Sequence, residues 1–247
     1  MIVRLQGGLG NQLFQYAFGR SVSLARKIPL QFNWQPTSWP YALGPYNLNI
    51  QWSSEPAPTY MEQPFSFNPG VYDADPKSLF VGYWQTEKYF NEEVIRKEIV
   101  PRHDVAVPAG IFTQGSVAVH VRRGDYLQVY EHQGNVLGMD YYSRAMEYVK
   151  SRISDARFYI FSDDPGWCWD NFPFECPVIS KIKGNQHDDL YLMSQCHHAI
   201  IANSSFSWWG AWLNPNKDRI VVAPKKWFHE DAGLDDRDLV PERWVRL

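Results

Sequence analysis

Val117, Val119 and Val121 alternate with Ala118 and His120, the period of two that marks a strand, and the apolar run predicts that it is buried. Gly124 then reads as a turn residue. Period-two or short apolar runs also predict strands at 2–5, 158–161, 177–180 and 198–202. Helical spacing of apolar residues predicts helices over 13–25, 140–153, 188–195 and 206–213. A further helix is expected over 86–99, with Thr86 as its cap and Phe90, Val94, Ile95 and Ile99 on one face. Residues 34–80 show little periodicity and read as loop-rich, and the polar stretch 126–138 reads as a loop. Strands alternating with helices in the second half predict a parallel, Rossmann-like sheet. Pro101, Pro108 and Gly110 mark a linker, which divides the chain into 1–110 and 111–247.

Three strand ends in the second half then carry polar clusters: His120/Arg122/Asp125, Ser162/Asp163/Asp164 and Asn203/Ser204/Ser205. The carboxyl edge of an open α/β sheet is where ligands bind. His120 and Arg122 lie two residues apart and so point to one side, roughly 6.5 to 7 Å apart, while Arg123 points to the other and reads as a structural clamp. An Arg fork suits phosphate or carboxylate oxygens, and a neighbouring Asp can accept a proton. Asp163 or Asp164, before Pro165, also suits a helix cap. Near the start, a strand runs into Gly7-Gly8-Leu9-Gly10-Asn11-Gln12 and then a helix, a geometry that turns backbone N–H groups toward an anion. Leu13 takes the third glycine position of a dinucleotide loop, and no Lys-Ser or Lys-Thr completes a P-loop, so a tight βα turn is an equal reading.

Composition narrows the classes. A net charge of −3 gives no global attraction to nucleic acid, so a polyanion site must be local. No apolar stretch of about eighteen residues predicts a membrane span, and no secretion signal opens the chain. Three cysteines without a C-x-x-C fit a reduced, cytoplasmic setting. The 11 Trp and 14 Tyr suit either a core or sugar-binding faces. Asp73-Ala74-Asp75 has the D-x-D spacing of metal-dependent sugar transferases, but Pro76 follows it directly, and no credible metal cluster is expected. His197 and His198 read as structural.

Gly7–Tyr16, His120-Val121-Arg122-Arg123-Gly124-Asp125-Tyr126, Phe161–Asp164, Asn203–Leu213 and Ala223–Phe228 together resemble the α-1,2-fucosyltransferases of glycosyltransferase family 11. The resemblance runs nearly the whole length and is weakest over 34–80. It implies a GT-B fold, two Rossmann-like domains facing across a cleft, with the nucleotide sugar held mainly by the second. It implies GDP-L-fucose as donor, no metal or other cofactor, and inversion to an α-1,2 linkage on a galactoside, in the synthesis of a surface glycan such as an O-antigen. His120 and Arg122 carry over as donor contacts. Asp163, Asp164, Asn203, Ser204, Ser205 and Phe206 carry over as nucleotide contacts, and Gly8, Gly10, Asn11 and Gln12 as further substrate contacts. Chemistry needs a cation for the leaving diphosphate and a base for the acceptor hydroxyl. Arg122 is the choice for the first; Asp125, then Glu131, for the second, with Asp125 alternatively orienting the arginines. Asp163 or Asp164 suits the N–H donors of guanine. Other readings are transfer from another GDP-sugar and a non-catalytic glycan-binding module. A cytoplasmic enzyme, peripheral at most to the inner membrane face, is expected.

Overall fold

The computed structural model describes residues 1–36, 38–63, 65–129, 136–180 and 185–247. The chain forms two compact units, the first from Met1–His103 with Leu234–Pro241, the second from Asp104–Gly233 with Glu242–Leu247. The division falls inside the Pro101–Gly110 segment, ahead of residue 110. A late stretch of chain returns to the first unit, a long-range pairing that local composition does not encode.

The first unit holds β1 (Ile2–Leu5), α1 (Leu9–Arg26), β2 (Gln31–Trp34), β3 (Thr59–Met61), β4 (Leu79–Val81) and α2 (Glu92–Glu98). Its strands are parallel in the order β2-β1-β4-β3. Leu13, Phe14, Ala17, Phe18 and Val22 bury one face of α1, and the Phe18 ring stacks on Trp84 at 3.9 Å. The single helix expected over 86–99 is two pieces, a 3-10 turn Glu87–Tyr89 and α2. Thr86 caps the first and Asn91 the second, while the Asn91 N–H donates to Ser21 Oγ on α1 at 2.8 Å. That tertiary bond takes an N–H that a continuous helix would use.

The second unit holds β5 (Ser116–Val121), α3 (Gly124–Val129), α4 (Met139–Lys150), β6 (Arg157–Ser162), α5 (Pro165–Asn171) and α6 (Gln186–Gln195). It continues with β7 (His198–Ile200), α7 (Ser205–Trp212), β8 (Val221–Ala223) and β9 (Val245–Arg246). All strands are parallel, in the order β6-β5-β7-β8-β9. Val117, Val119 and Val121 pack with Tyr142, Ala145 and Val149 of α4, and Ala118 packs with Leu192 and Met193 of α6 on the other face. Each such buried valine contributes about 1.5–3 kcal/mol. Residues 124–129, expected as turn and loop, form α3. The strand expected at Pro177–Ser180 is reduced to one bridge, Ile160 to Val178, because Pro177 brings no N–H to a ladder. Among the described residues no helix is long and apolar enough to cross a membrane.

Candidate active site

In the second sheet the chain leaves β5 for β6 on one side and returns to β7 on the other. The tips of β5 and β7 therefore flank a topological switch point, the crevice where such sheets take ligands. From the β5 tip, Arg122 reaches two carboxylates: Asp125 Oδ1 at 2.5 Å and Asp163 Oδ2 at 2.8 Å. Gly124 starts α3, and the three-residue spacing of Asp125 from Arg122 brings its carboxylate back onto the guanidinium. Asp163 arrives from the tip of β6 and also accepts the Arg123 N–H at 2.9 Å. Gly124 admits this approach, since an added Cβ would lie 2.6 Å from Asp163 Oδ2. Arg123 points away, pairs with Asp164 at 3.2 Å and lies over the Trp167 ring at 4.2 Å. Asp164 accepts the Trp167 N–H and so caps α5. In this structure both Asp163 and Asp164, read from sequence as partners for guanine, are engaged by the two arginines and a helix end.

His120, on the same side as Arg122, is buried beside the Phe206 ring, 5.4 Å between centroids. Burial pushes its imidazolium well below the usual histidine range, against the pull of Asp163, so it is neutral. Its Nδ1 is buried with no hydrogen-bond partner in the protein. From the β7 tip, the Asn203 side chain donates to Trp227 O at 3.2 Å, and the Tyr126 hydroxyl donates to Asn203 O at 3.0 Å. Ser204 caps α7 by accepting the Phe206 N–H, which leaves Ser205 and Phe206 in the first turn of that helix. Trp208, Trp209 and Trp212 of α7 are fully buried and serve the core rather than a sugar face.

The glycine loop lies in the first unit. Gly7 takes φ +72°, a left-handed conformation that glycine adopts without strain. Gly8 is the N-cap of α1, with Gly10 buried in its first turn. Gln12 is fully buried; its amide donates to Gly7 O (2.8 Å) and Pro40 O (2.9 Å) and accepts the Ala42 N–H (2.8 Å). Expected from sequence as a substrate contact, Gln12 has every polar atom of its amide bonded to backbone in this structure and clamps the loop. Asn11 Oδ1 accepts from Gln85 Nε2 at 2.7 Å. Glu131 lies outside the described residues.

Asp73 ends a 3-10 turn and Asp75 accepts the Lys77 N–H, so the D-x-D pair shapes a turn. Among the described residues no three His, Cys, Asp or Glu side chains converge as metal ligands would. His197 pairs with Asp218 at 2.9 Å, and His198 Nδ1 accepts the Ile220 N–H. Sequence reasoning missed Glu62, which follows β3 and grips the turn after β4. No period or motif in 34–80 could have flagged it.

The family model for glycosyl transferase family 11 matches residues 72–247. An alpha-1,2-colitosyltransferase of Escherichia coli is 32% identical, across 100% of this chain and 98% of that protein. The galactoside 2-alpha-L-fucosyltransferase Sec1 of Mus musculus is 27% identical, across 92% of this chain and 68% of its own length. Among solved structures, the fucosyltransferase NodZ from Bradyrhizobium superposes with a TM-score of 0.50 at 14% identity, covering 88% of this chain and 96% of that one. That likeness supports the α/β fold of GT-B type. The relatives and the matched family model carry the conclusion further: this chain is a glycosyltransferase and belongs to family 11.

Proposed function

We propose that the chain is an inverting, metal-independent α-1,2-fucosyltransferase that moves L-fucose from GDP-β-L-fucose to the 2-hydroxyl of a galactoside, in the synthesis of a surface glycan. The observation that carries the reading is Arg122, fixed by two carboxylates at the switch point of a parallel sheet. Breaking the fucosyl C1–O bond leaves negative charge on the diphosphate, and a guanidinium whose direction is already set stabilises that charge without reorganising. The Ser205 N–H, in the first turn of α7, adds a donor, while the Phe206 N–H is held by the Ser204 cap. Neutral His120 lies at the same strand tip beside Phe206 and contacts the nucleotide. Asp125, paired with Arg122, orients its guanidinium.

A specific observation favours a second donor. The colitosyltransferase relative spans this whole chain, so a GDP-linked colitose on the same scaffold is the alternative. The test incubates lactose with GDP-L-fucose or GDP-colitose and follows released GDP with and without EDTA. Faster release from GDP-fucose, unchanged by EDTA, is expected. Preference for colitose selects the alternative, and EDTA inhibition would return Asp73 and Asp75 as metal ligands. Asp125→Asn is expected to weaken GDP binding together with turnover; lost turnover with GDP binding intact would make Asp125 the base.

A further inference from the structure

Resting on the reading of a galactoside acceptor, we propose that the carboxyl edge of the first sheet seats the acceptor sugar, with Glu62 accepting hydrogen bonds from two neighbouring ring hydroxyls. The order β2-β1-β4-β3 sends the chain from β1 to β2 on one side and to β3 and β4 on the other. The tips of β1 and β4 therefore flank a second switch point, of the kind that takes ligands. The Asn11–Gln85 bond spans those two tips.

Glu62 follows β3 at the same edge, and its N–H continues the ladder to Val81 O at 2.9 Å. Its side chain crosses Gly82, where an added Cβ would collide with the Glu62 Cβ. One carboxylate oxygen accepts the Tyr83 N–H at 2.6 Å and the other the Trp84 N–H at 2.9 Å. Each oxygen of a carboxylate has two acceptor directions. One direction on each is used by a backbone N–H, which leaves each oxygen the capacity to accept from one hydroxyl. The group is already held in place, so ordering it costs little on binding. Burial raises the Glu62 carboxyl to about 7 although both N–H bonds pull it down, which marks the site as poorly hydrated.

Aromatic surface borders the same edge. The Tyr83 ring is 36% exposed and held parallel to Phe65, 6.2 Å between centroids. Trp39, 40% exposed, lies against Gly8, with 3.6 Å from its ring to the position of an added Cβ. Flat rings of this kind pack against the C–H face of a sugar, while carboxylate and amides take its hydroxyls.

The experiment measures binding of lactose, and of lactose analogues lacking one galactose hydroxyl each, to the full chain by calorimetry and ligand-observed NMR. Wild type is expected to lose about tenfold in affinity for analogues lacking either of two adjacent hydroxyls. Glu62→Gln should weaken lactose about tenfold and erase one of those two preferences. Tyr83→Ala, which leaves the carboxylate and its backbone partners in place, should weaken lactose while keeping both preferences. GDP affinity should stay unchanged in both variants. A folded Glu62→Gln protein with the full hydroxyl preference, or a Tyr83→Ala protein with unchanged lactose affinity, overturns the proposal. Wild type that binds no galactoside while still releasing GDP from GDP-fucose overturns the acceptor reading instead.

Discussion

At the switch point of the first sheet, polar contacts run mainly through neutral amides: Gln12 holds three backbone groups, Gln15 holds Gln6 and Gly82, and Asn11 meets Gln85. At that of the second sheet they run through charges, with Arg122 and Arg123 tied to Asp125, Asp163 and Asp164. Neutral amides tolerate burial, and here Gln12 and Gln15 spend theirs on backbone groups that fix the shape of the edge. Ion pairs hold a guanidinium ready for a polyanion, at the cost of desolvating several charges. One chain thus uses the same sheet geometry twice, with mainly amide contacts at one switch point and ion pairs at the other, a contrast that the proposed acceptor and nucleotide sites would exploit.

The largest effect expected to test this contrast comes from Arg122→Ala. GDP affinity and turnover should fall about 100-fold or more, while lactose binding changes less than twofold. Near-normal turnover in that variant removes the charged edge from the chemistry. Next in size is Gln12→Leu, which leaves the buried Ala42 N–H and two part-buried carbonyls without this partner. A loss of about 3 kcal/mol in unfolding free energy is expected, seen as faster amide exchange in the first unit with GDP affinity kept. Stability within about 0.5 kcal/mol of wild type would show that the amide clamp holds little.

The effect smallest at neutral pH concerns acid. The folded pKa of His120 is depressed by burial, so the neutral ring's contribution is full above the unfolded value near 6.5 and is lost as pH falls below it. The unfolding free energy should therefore drop by about 1.4 kcal/mol per pH unit between 6.5 and the folded value of about 3, and His120→Gln should flatten that slope. An unchanged slope in the variant places the acid sensitivity elsewhere.

The strands and their three polar tips were legible because parallel strands bury both faces and so read as apolar runs that stop where the backbone leaves the sheet. What chain order could not show was partnership. That Asp163 would join Arg122 depends on β6 lying beside β5, a non-local pairing. Glu62 sits in a region whose structure comes from tertiary contacts rather than period, so nothing near it announced a role. The break at Phe90 and Asn91 was hidden likewise, since it hangs on a hydroxyl from α1.

The return of Leu234–Pro241 to the first unit bears on how the protein can be dissected. Asp238 there accepts the Phe67 N–H and pairs with Lys88, and Leu239 and Val240 are buried, while the residues just beyond supply β9 at the far side of the second sheet. A stop codon after Gly233 would strip both halves at once, and no single scission yields either half entire. Separating them for study calls for a graft, in which the 234–241 peptide is rejoined to the amino-terminal half through a new linker.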